Sequence, residues 1–506
     1  MQRRYRLLLA LGVLATMIVH GWSILRFPGP FMDETWLISR AWGFHQTGKT
    51  FGMLDAGVID RYPGYWTFLP ALSNSLQSLA LWLAGGPSLL AARLQSLLYG
   101  GILLLAIWVI ARRLGGGLAA WISVTLVAYS TPFWFTAHSA RQDILVAACS
   151  YGAIALWFIA AERPRWWLHL LAGLVLGAAV EIHSFAAIFV PVLFTLYVQR
   201  HGWRAVRQAE FWWWALGGII GLLFYIGIHI LPYPQSYVAL TDIYFGRTHL
   251  PPLLSLDLPV IVDGVRRTFE IVTSYSFLSP LQALALVWLC VRPAVADSRW
   301  LAIMIPLLLA YILLIHTKFG YYTIYFSPAL EMGLALAAAR LIANPPARVR
   351  PLLRKALVVA LAAWALIAIG ASIQLIGHNS YADYTATIAQ LDPVIKPGDV
   401  IMSTPMYWLD FPEHPYYTIE QLVFYPRHAP GSTVEQTMAE FKPDILIVDF
   451  HLRSHTFKEM PQDPYAQAWF IPQDQLDAAI ARHGTEVANF MSRDYGQVVV
   501  YRMRWP

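Results

Sequence analysis

The chain has 506 residues, of which 57% are hydrophobic and only 13% are charged. A soluble domain carries about 25% charged residues, so this composition excludes an ordinary soluble protein. The formal net charge of +6 comes from basic residues scattered among short loops rather than gathered in one patch, so nucleic acid is not an expected partner.

Long apolar runs repeat from Leu7 to Ile376, and each is long enough to cross a bilayer. The first run follows three arginines, and because it is long and no small-x-small cleavage site follows it, we predict an uncleaved helix rather than a signal peptide. We predict about eleven spans, each a largely apolar helix. They cover 7–25, 90–112, 118–135, 144–161, 166–180, 185–198, 211–231, 271–291, 300–315, 322–341 and 356–376.

A further run, 65–83, is ambiguous because polar residues interrupt it. If it lies along the outer interface, the inside loops hold 17 basic residues against few acids, whereas a spanning helix there would place these residues outside. The positive-inside rule therefore favours interfacial helices in the first outer loop, 26–89. It predicts a multi-pass protein of the inner (plasma) membrane with a cytoplasmic N-terminus.

The outer side then gathers most of the loop charges. The first outer loop holds the adjacent carboxylates Asp33 and Glu34, and also Arg61. The other outer corners and loops carry His138, Arg141, Asp143, Glu181, His183, Asp242, Arg247, His249 and Lys318. Charge at membrane depth is costly and usually marks a cavity or a site, so the set predicts a pocket. For any one of these residues, a snorkelling or loop-end position is an equally good explanation.

The C-terminal part, 378–506, is polar and its apolar runs are short. We predict strands at 400–402, 444–449 and 497–501 and helices at 434–441 and 476–482. Alternating strands and helices indicate a small α/β domain, which the orientation places outside the cell membrane. The predicted fold is thus an all-α polytopic membrane bundle, 1–377, with this extracytoplasmic domain appended.

Cations and a carboxylate at one membrane surface suit a particular chemistry. Arginine and lysine recognise phosphate through charge and hydrogen bonds. A neighbouring carboxylate accepts a proton from an incoming hydroxyl. The combination favours displacement at a carbon that bears a phosphate leaving group. The spacing alone does not separate sugar transfer from transport.

The order of motifs resembles the GT-C glycosyltransferases that use polyprenyl-phosphate sugars. The nearest branch includes the bacterial aminoarabinose transferase acting on lipid A and, more distantly, the protein O-mannosyltransferases. The similarity covers roughly residues 1–340 and rests on order and position. The motifs are Asp33-Glu34-Thr35, Arg61-Tyr62-Pro63-Gly64-Tyr65-Trp66, Arg93, Arg141-Gln142-Asp143, Glu181-Ile182-His183 and Thr317-Lys318.

The resemblance implies an inverting transfer in which Asp33 takes the proton of the acceptor hydroxyl as polyprenyl phosphate departs. Glu34 would support this base or bind the acceptor. Cations near the leaving phosphate would stabilise its developing negative charge. The residues implied on the donor-phosphate side are Arg61, Lys318, Arg247, His249 and Arg141, and those implied to line the pocket are Asp143, Tyr62, Tyr65 and His183.

This chain departs from the family where Glu181-Ile182-His183 replaces a common Thr-Lys-Gly, so a lysine is missing and the donor sugar stays open. The resemblance implies no cofactor and no divalent metal, and the outer histidines lack the tight spacing of zinc ligands. The expected partners are a polyprenyl-phosphate sugar, membrane lipids and a lipid, glycan or protein acceptor.

Two other functions remain open from sequence. A transporter or flippase of a lipid-linked or anionic substrate would line its path with the same charges, but transporters usually show internal repeats, and none is evident here. A membrane-anchored binding protein would leave the pair Asp33 and Glu34 and the corner lysine Lys318 unexplained.

Overall fold

The structure is a computed structural model that describes residues 15–163, 165–245, 258–275, 295–315, 318–343, 350–459 and 469–506. Its helices, numbered in chain order, are α1 (Met32–Thr47), α2 (Ala71–Ala84), α3 (Leu89–Ala128), α4 (Thr131–Ala137), α5 (Asp143–Glu162), α6 (Trp166–Ile182), α7 (Val190–His201), α8 (Ala209–Tyr225), α9 (Pro234–Phe245), α10 (Leu258–Tyr275), α11 (Val295–Leu314), α12 (Ser327–Ala343), α13 (Arg350–His378), α14 (Ser380–Leu391), α15 (Glu420–His428), α16 (Val434–Phe441), α17 (Phe450–Ser454) and α18 (Gln473–His483). The strands are β1 (Ile401–Ser403), β2 (Tyr416–Thr418), β3 (Ile445–Val448), β4 (Thr456–Phe457), β5 (Ile471–Pro472), β6 (Gly484–Ser492) and β7 (Gly496–Met503).

The chain divides into two compact units. The helical unit comprises Met1–Ser23, Ser96–Ile226 and His249–Gly377. The mixed unit comprises Ile24–Gln95, Gly227–Thr248 and His378–Pro506. The whole of the first outer loop, 26–89, thus folds with the C-terminal part of the chain.

Three of the described helices are long and apolar enough to cross a membrane: α3, α5 and α8 with its π-helical extension to Ile230. Helix α6 and the Ser298–Leu314 part of α11 are apolar but shorter. Helix α3 contains the predicted span 90–112 and the first part of the predicted span 118–135, and its backbone leaves helical geometry at Gly116, between them. The second predicted span is interrupted after Ala128, and α4 begins at Thr131. The fold is mostly helical as predicted, while the number of eleven spans stays a prediction.

Helices α6 and α8 of the helical unit approach each other through small residues. Each carries a pair of glycines four residues apart, Gly173 and Gly177 on α6 and Gly217 and Gly221 on α8. A Cβ added to Gly173 would lie 2.1 Å from the carbonyl oxygen of Trp214, so the two backbones are in direct contact there. Such small-residue crossings are typical of helices packed within membranes.

The mixed unit contains a five-stranded sheet in the order β2-β1-β3-β7-β6. Strand β1 pairs in parallel with β2 and β3, while β7 pairs antiparallel with β3 and β6. The small C-terminal α/β fold is therefore confirmed. Helix α16 coincides with the predicted 434–441, and β3 and β7 lie at the predicted 444–449 and 497–501. The sequence interpretation missed the helices α14, α15 and α17 and the strands β2, β4, β5 and β6.

The first outer loop and the C-terminal segment share one apolar core. Val58 and Ile59 from the loop are fully buried in the same cluster as Leu422, Met438 and Leu446 from the C-terminal segment. Helices α1 and α2 and a 3-10 turn at Tyr65–Phe68 form the rest of the loop. At 14 residues, α2 is shorter than the roughly 20 residues that a span requires. Its place at the membrane interface stays a prediction.

Candidate active site

The predicted catalytic pair lies in the first turn of α1. The carbonyl of Phe31 accepts the N–H groups of Glu34 at 3.1 Å and Thr35 at 3.2 Å, which begins the helix. Acidic side chains are stabilised at this end by the helix dipole. The two carboxylates differ in burial: Asp33 is partly exposed, whereas Glu34 is fully buried.

Glu34 forms a buried ion pair with Arg93. The guanidinium donates to both carboxylate oxygens at 2.8 Å, in a bidentate arrangement. Its other N–H groups donate to the carbonyls of Ile24, Pro28 and Gly29, at 3.0, 2.8 and 3.1 Å. An arginine has five such donors, and all five are used here. This geometry favours a supporting role for Glu34 over direct proton transfer.

Asp55 fixes the middle of α1, a role the sequence interpretation did not assign. Its carboxylate accepts from the indole of Trp36 at 2.6 Å and from Arg40 at 2.8 to 3.1 Å. Asp55 also accepts the backbone N–H of Gly52 at 3.2 Å. Asp33 therefore stands on a helix that is held rigidly, as a precisely placed base requires.

Arg61, predicted near the donor, lies at the surface of the mixed unit. Its guanidinium stacks on the Tyr425 ring at 4.7 Å, and one of its nitrogens is 3.9 Å from the carboxylate of Glu440. An exposed ion pair of this length contributes little free energy, so the side chain can be recruited by a phosphate at small cost. Its role at the donor stays a prediction.

Tyr62 and Tyr65, predicted to line the pocket, both pack against the shared apolar core. The ring of Tyr62 is 5.6 Å from that of His428, and the ring of Tyr65 meets Phe51 edge to face at 4.6 Å. Both rings are partly exposed. Packing accounts for the buried part of each ring, and contact with a sugar stays a prediction for the exposed part.

In the helical unit, Arg141, Asp143 and His183 lie close together. Arg141 donates to Asp143 at 2.8 Å, and the hydroxyl of Tyr325 donates to the other oxygen of Asp143 at 2.8 Å. The guanidinium also lies over the ring of Tyr321, at 3.8 Å. Both charged side chains are buried. Asp143 therefore orients the arginine, and the tyrosines that complete the cluster were not assigned from sequence.

His183 caps the end of α6 and lies against aromatic rings. Its Nδ1 accepts the backbone N–H of Phe185 at 3.2 Å, and its ring is 4.4 Å from that of Phe185. Burial lowers the pKa of His183 to about 4, an effect that nearby Asp143 opposes and Arg141 reinforces. The imidazole is therefore neutral near pH 7 and does not replace the lysine that the family often carries here.

Lys318 follows α11, four residues beyond its last residue Leu314, and is almost fully buried. Its ammonium donates to the carbonyls of Ile315 at 2.5 Å, Ile312 at 3.3 Å and Tyr311 at 3.4 Å. Burial lowers the pKa of Lys318 to about 8, as does Arg267 on α10, while Asp263 opposes the shift. Sequence reasoning missed Arg267 because it belongs to none of the motifs, and its proximity to Lys318 appears only in the fold.

The candidate site residues are divided between the two units of the fold. Arg247 and His249 lie outside the described residues. Asp33, Glu34, Arg61, Tyr62 and Tyr65 belong to the mixed unit, while Arg141, Asp143, His183 and Lys318 belong to the helical unit. Across the described ranges, no group of three or more His, Cys, Asp or Glu side chains could hold a metal ion.

Residues 70–229 match the family described as dolichyl-phosphate-mannose-protein mannosyltransferase. The fold is similar to that of ArnT from Cupriavidus metallidurans bound to undecaprenyl phosphate, with a TM-score of 0.64, 13% identity and coverage of 97% of both chains. The fold is therefore the predicted one, that of the GT-C membrane glycosyltransferases. The predicted resemblance is thereby confirmed.

The chain is also similar in fold to the apo form of the Archaeoglobus fulgidus oligosaccharyltransferase. That match has a TM-score of 0.52 and 13% identity, and it covers 97% of this chain and 74% of the other. No sequence among the curated proteins matches the chain. At these identities, the structural matches define the fold and leave the substrates to be argued from the site.

Proposed function

We propose that the protein is an inverting glycosyltransferase that moves a sugar from a polyprenyl-phosphate donor to a hydroxyl or phosphate of an acceptor at the outer face of the membrane. The observation that carries this proposal is the difference in burial and pairing between the two carboxylates in the first turn of α1. Asp33 is partly exposed, and its neighbour Glu34 is fixed in a buried ion pair with Arg93. A rigidly held, accessible carboxylate is what a general base requires.

The donor class is supported by two relatives. The structure of ArnT from Cupriavidus metallidurans holds undecaprenyl phosphate, and AglB from Archaeoglobus fulgidus has been solved in complex with a dolichol-phosphate. The description of the matching family also names a dolichyl-phosphate sugar, dolichyl-phosphate-mannose. We extend a polyprenyl-phosphate donor to this chain, with the sugar left open.

For an acceptor hydroxyl, the reaction forms one bond and breaks one bond at the anomeric carbon. The acceptor oxygen attacks that carbon while Asp33 takes its proton. The bond between the carbon and the phosphate oxygen breaks, and polyprenyl phosphate leaves with the electron pair. Lys318, Arg61 and Arg141 are the described cations that we assign to the phosphate, whose negative charge grows in the transition state. Attack opposite the leaving group inverts the anomeric configuration.

This assignment gives leaving-group stabilisation to lysine and arginine, so it calls for neither a cofactor nor a divalent metal. We further propose that the protein lies in the inner membrane, with a cytoplasmic N-terminus and an extracytoplasmic C-terminal domain. The acceptor is a lipid, a glycan or a protein. A transporter would need the same charges, but no comparison favours that alternative.

The test uses purified full-length protein with a panel of undecaprenyl-phosphate sugars and a membrane extract as acceptor. Mass spectrometry measures the release of undecaprenyl phosphate, and NMR of the product gives its anomeric configuration. We expect release that depends on the acceptor, with inversion. Retention of configuration would overturn the inverting mechanism. Uptake of the lipid-linked sugar into liposomes without any release would establish the transporter alternative.

A further inference from the structure

The segment that leads into α1 is bound on one side by Arg93. The guanidinium donates to the carbonyl of Pro28 at 2.8 Å and to that of Gly29 at 3.1 Å. The segment then begins the helix at Phe31, two residues before Asp33. The position of the Asp33 carboxylate therefore depends on where the backbone of 28–31 lies.

Two residues of the C-terminal segment pack on the same backbone. The buried Tyr495 brings its hydroxyl to 3.5 Å from the carbonyl of Pro30. A Cβ added to Gly29 would lie 3.2 Å from the Cβ of Ser380 and 3.6 Å from the Tyr495 hydroxyl. Glycine at position 29 is thus what allows this close approach.

Tyr495 and Ser380 are themselves held in place by Asp383, which lies one turn into α14. Its carboxylate accepts the hydroxyl of Ser492 at 2.6 Å and the backbone N–H of Asp494 at 2.9 Å, at the turn between β6 and β7. The backbone N–H of Tyr495 donates to Ser492 at 3.2 Å. The turn and the start of α14 therefore form one rigid support.

We infer that Tyr495 and Ser380 are positioning residues: they hold the backbone of 28–31 from the C-terminal side and so set where the Asp33 carboxylate lies. This inference rests on the proposed role of Asp33 as the base. It gives the C-terminal α/β fold a function in the reaction that requires no contact with the substrate. Because a misplacement of about 1 Å can cost on the order of a hundredfold in rate, support of this kind acts on turnover.

The test adds a methyl group at Gly29 and then removes the Ser380 side chain that this methyl group would contact. In Gly29→Ala, the new Cβ presses on Ser380, so amide hydrogen exchange across 27–37 should accelerate. With an undecaprenyl-phosphate sugar, kcat should fall about threefold to tenfold while KM for the donor stays within about twofold. Tyr495→Ala, which removes the ring, should have a larger effect in the same direction.

The matched pair of double variants separates positioning from general damage. Gly29→Ala combined with Ser380→Gly restores the space and should recover both exchange and kcat. Gly29→Ala combined with Ser380→Ala keeps the obstructing Cβ and should recover neither. Wild-type exchange and kcat in Gly29→Ala, or equal rescue by both partners, would overturn the inference. If wild-type protein releases no undecaprenyl phosphate at all, the proposed function fails, and the exchange data alone decide whether the support exists.

Discussion

The buried pair of Glu34 and Arg93 distinguishes two carboxylates that are adjacent in sequence. Successive residues on a helix point about 100° apart, so one faces the interior while the next faces outward. From sequence, the resemblance implied Asp33 as the base and left Glu34 either to support it or to bind the acceptor. Arg93 was noted only as part of a motif, because its partners lie about 60 residues away. Pairings at that distance leave no local pattern.

Breaking this pair should destabilise the fold. Arg93→Met leaves the Glu34 carboxylate buried without its partner, at an expected cost of about 3–5 kcal/mol in the free energy of unfolding. Thermal unfolding in detergent should show a lower Tm than wild type. Adding Glu34→Gln to Arg93→Met should recover part of the loss, since the uncompensated charge is gone. A double variant no more stable than Arg93→Met would contradict the assignment.

Lys318 predicts a pH dependence of activity. Its pKa is lowered to about 8, so the free protein loses this positive charge as the pH rises through about 8. Loss of the cation weakens stabilisation of the leaving phosphate, and kcat/KM should fall on the alkaline side with an apparent pKa near 8. Lys318→Arg, which stays charged, should move this descending limb to higher pH. An unchanged limb would remove Lys318 from the phosphate side.

Lys318 also predicts the direction in which the free energy of unfolding changes with pH. A lysine has an unperturbed pKa near 10.4, so between about pH 8 and pH 10.5 the unfolded chain binds a proton that the folded chain has released. The contribution of Lys318 to the free energy of unfolding therefore increases with pH across that window. This contribution is least favourable below about pH 8, where Lys318 is charged in both the folded and the unfolded state. Comparison of Tm at pH 7.5 and pH 9.5 with that of Lys318→Met measures this term.

Some helices and strands could be predicted from the sequence, and others could not. Helix α16 was predicted at its observed bounds because Lys442-Pro443 ends it, and the structure adds that Thr433 caps its start. Strand β6 was missed because most of its side chains are exposed and no apolar run shows it. The close crossing of α6 and α8 was also missed, although the glycine spacing on both helices could have indicated it.

The crossing of α6 and α8 can be tested by comparing a glycine at the contact with a glycine that faces open space. Gly173→Ala would place its Cβ 2.1 Å from the carbonyl oxygen of Trp214, so the helices must separate and Tm should fall. Gly218, also on α8, has no atom within 4 Å of an added Cβ. Gly218→Ala should leave Tm unchanged or raise it slightly, because alanine favours helix over glycine by about 1 kcal/mol. Equal losses in both variants would contradict the packing.

At the scale of the whole molecule, the mostly helical composition and the small C-terminal sheet followed from the apolar runs and the change in composition near residue 378. The shared core did not. Val58 and Ile59 are two apolar residues in a polar loop, and the C-terminal residues of the same core lie more than 340 residues later in the chain. A core built across such a distance is set by the fold and has no signature in any local window.

The shared core predicts that removal of 378–506 will unfold the first outer loop as well. Without its partners, the apolar surface of Val58 and Ile59 becomes exposed to water, which is unfavourable. Limited digestion with trypsin should then cut at Lys49 and Arg61 in the truncated protein. It should also cut at Arg40, where the full-length protein should resist, because this side chain is mostly buried and paired with Asp55. Equal resistance in both proteins would show that the loop folds by itself.

The central claim is that Asp33 is the base of a polyprenyl-phosphate glycosyltransferase. The most direct measurement compares release of undecaprenyl phosphate by wild type, Asp33→Asn and Asp60→Asn under identical conditions. Asp60→Asn is the matched control, because Asp60 is an exposed carboxylate of the same loop. We predict at least a hundredfold loss in Asp33→Asn, in line with the usual contribution of a general base, and wild-type release in Asp60→Asn. A folded Asp33→Asn that turns over like wild type would contradict the claim.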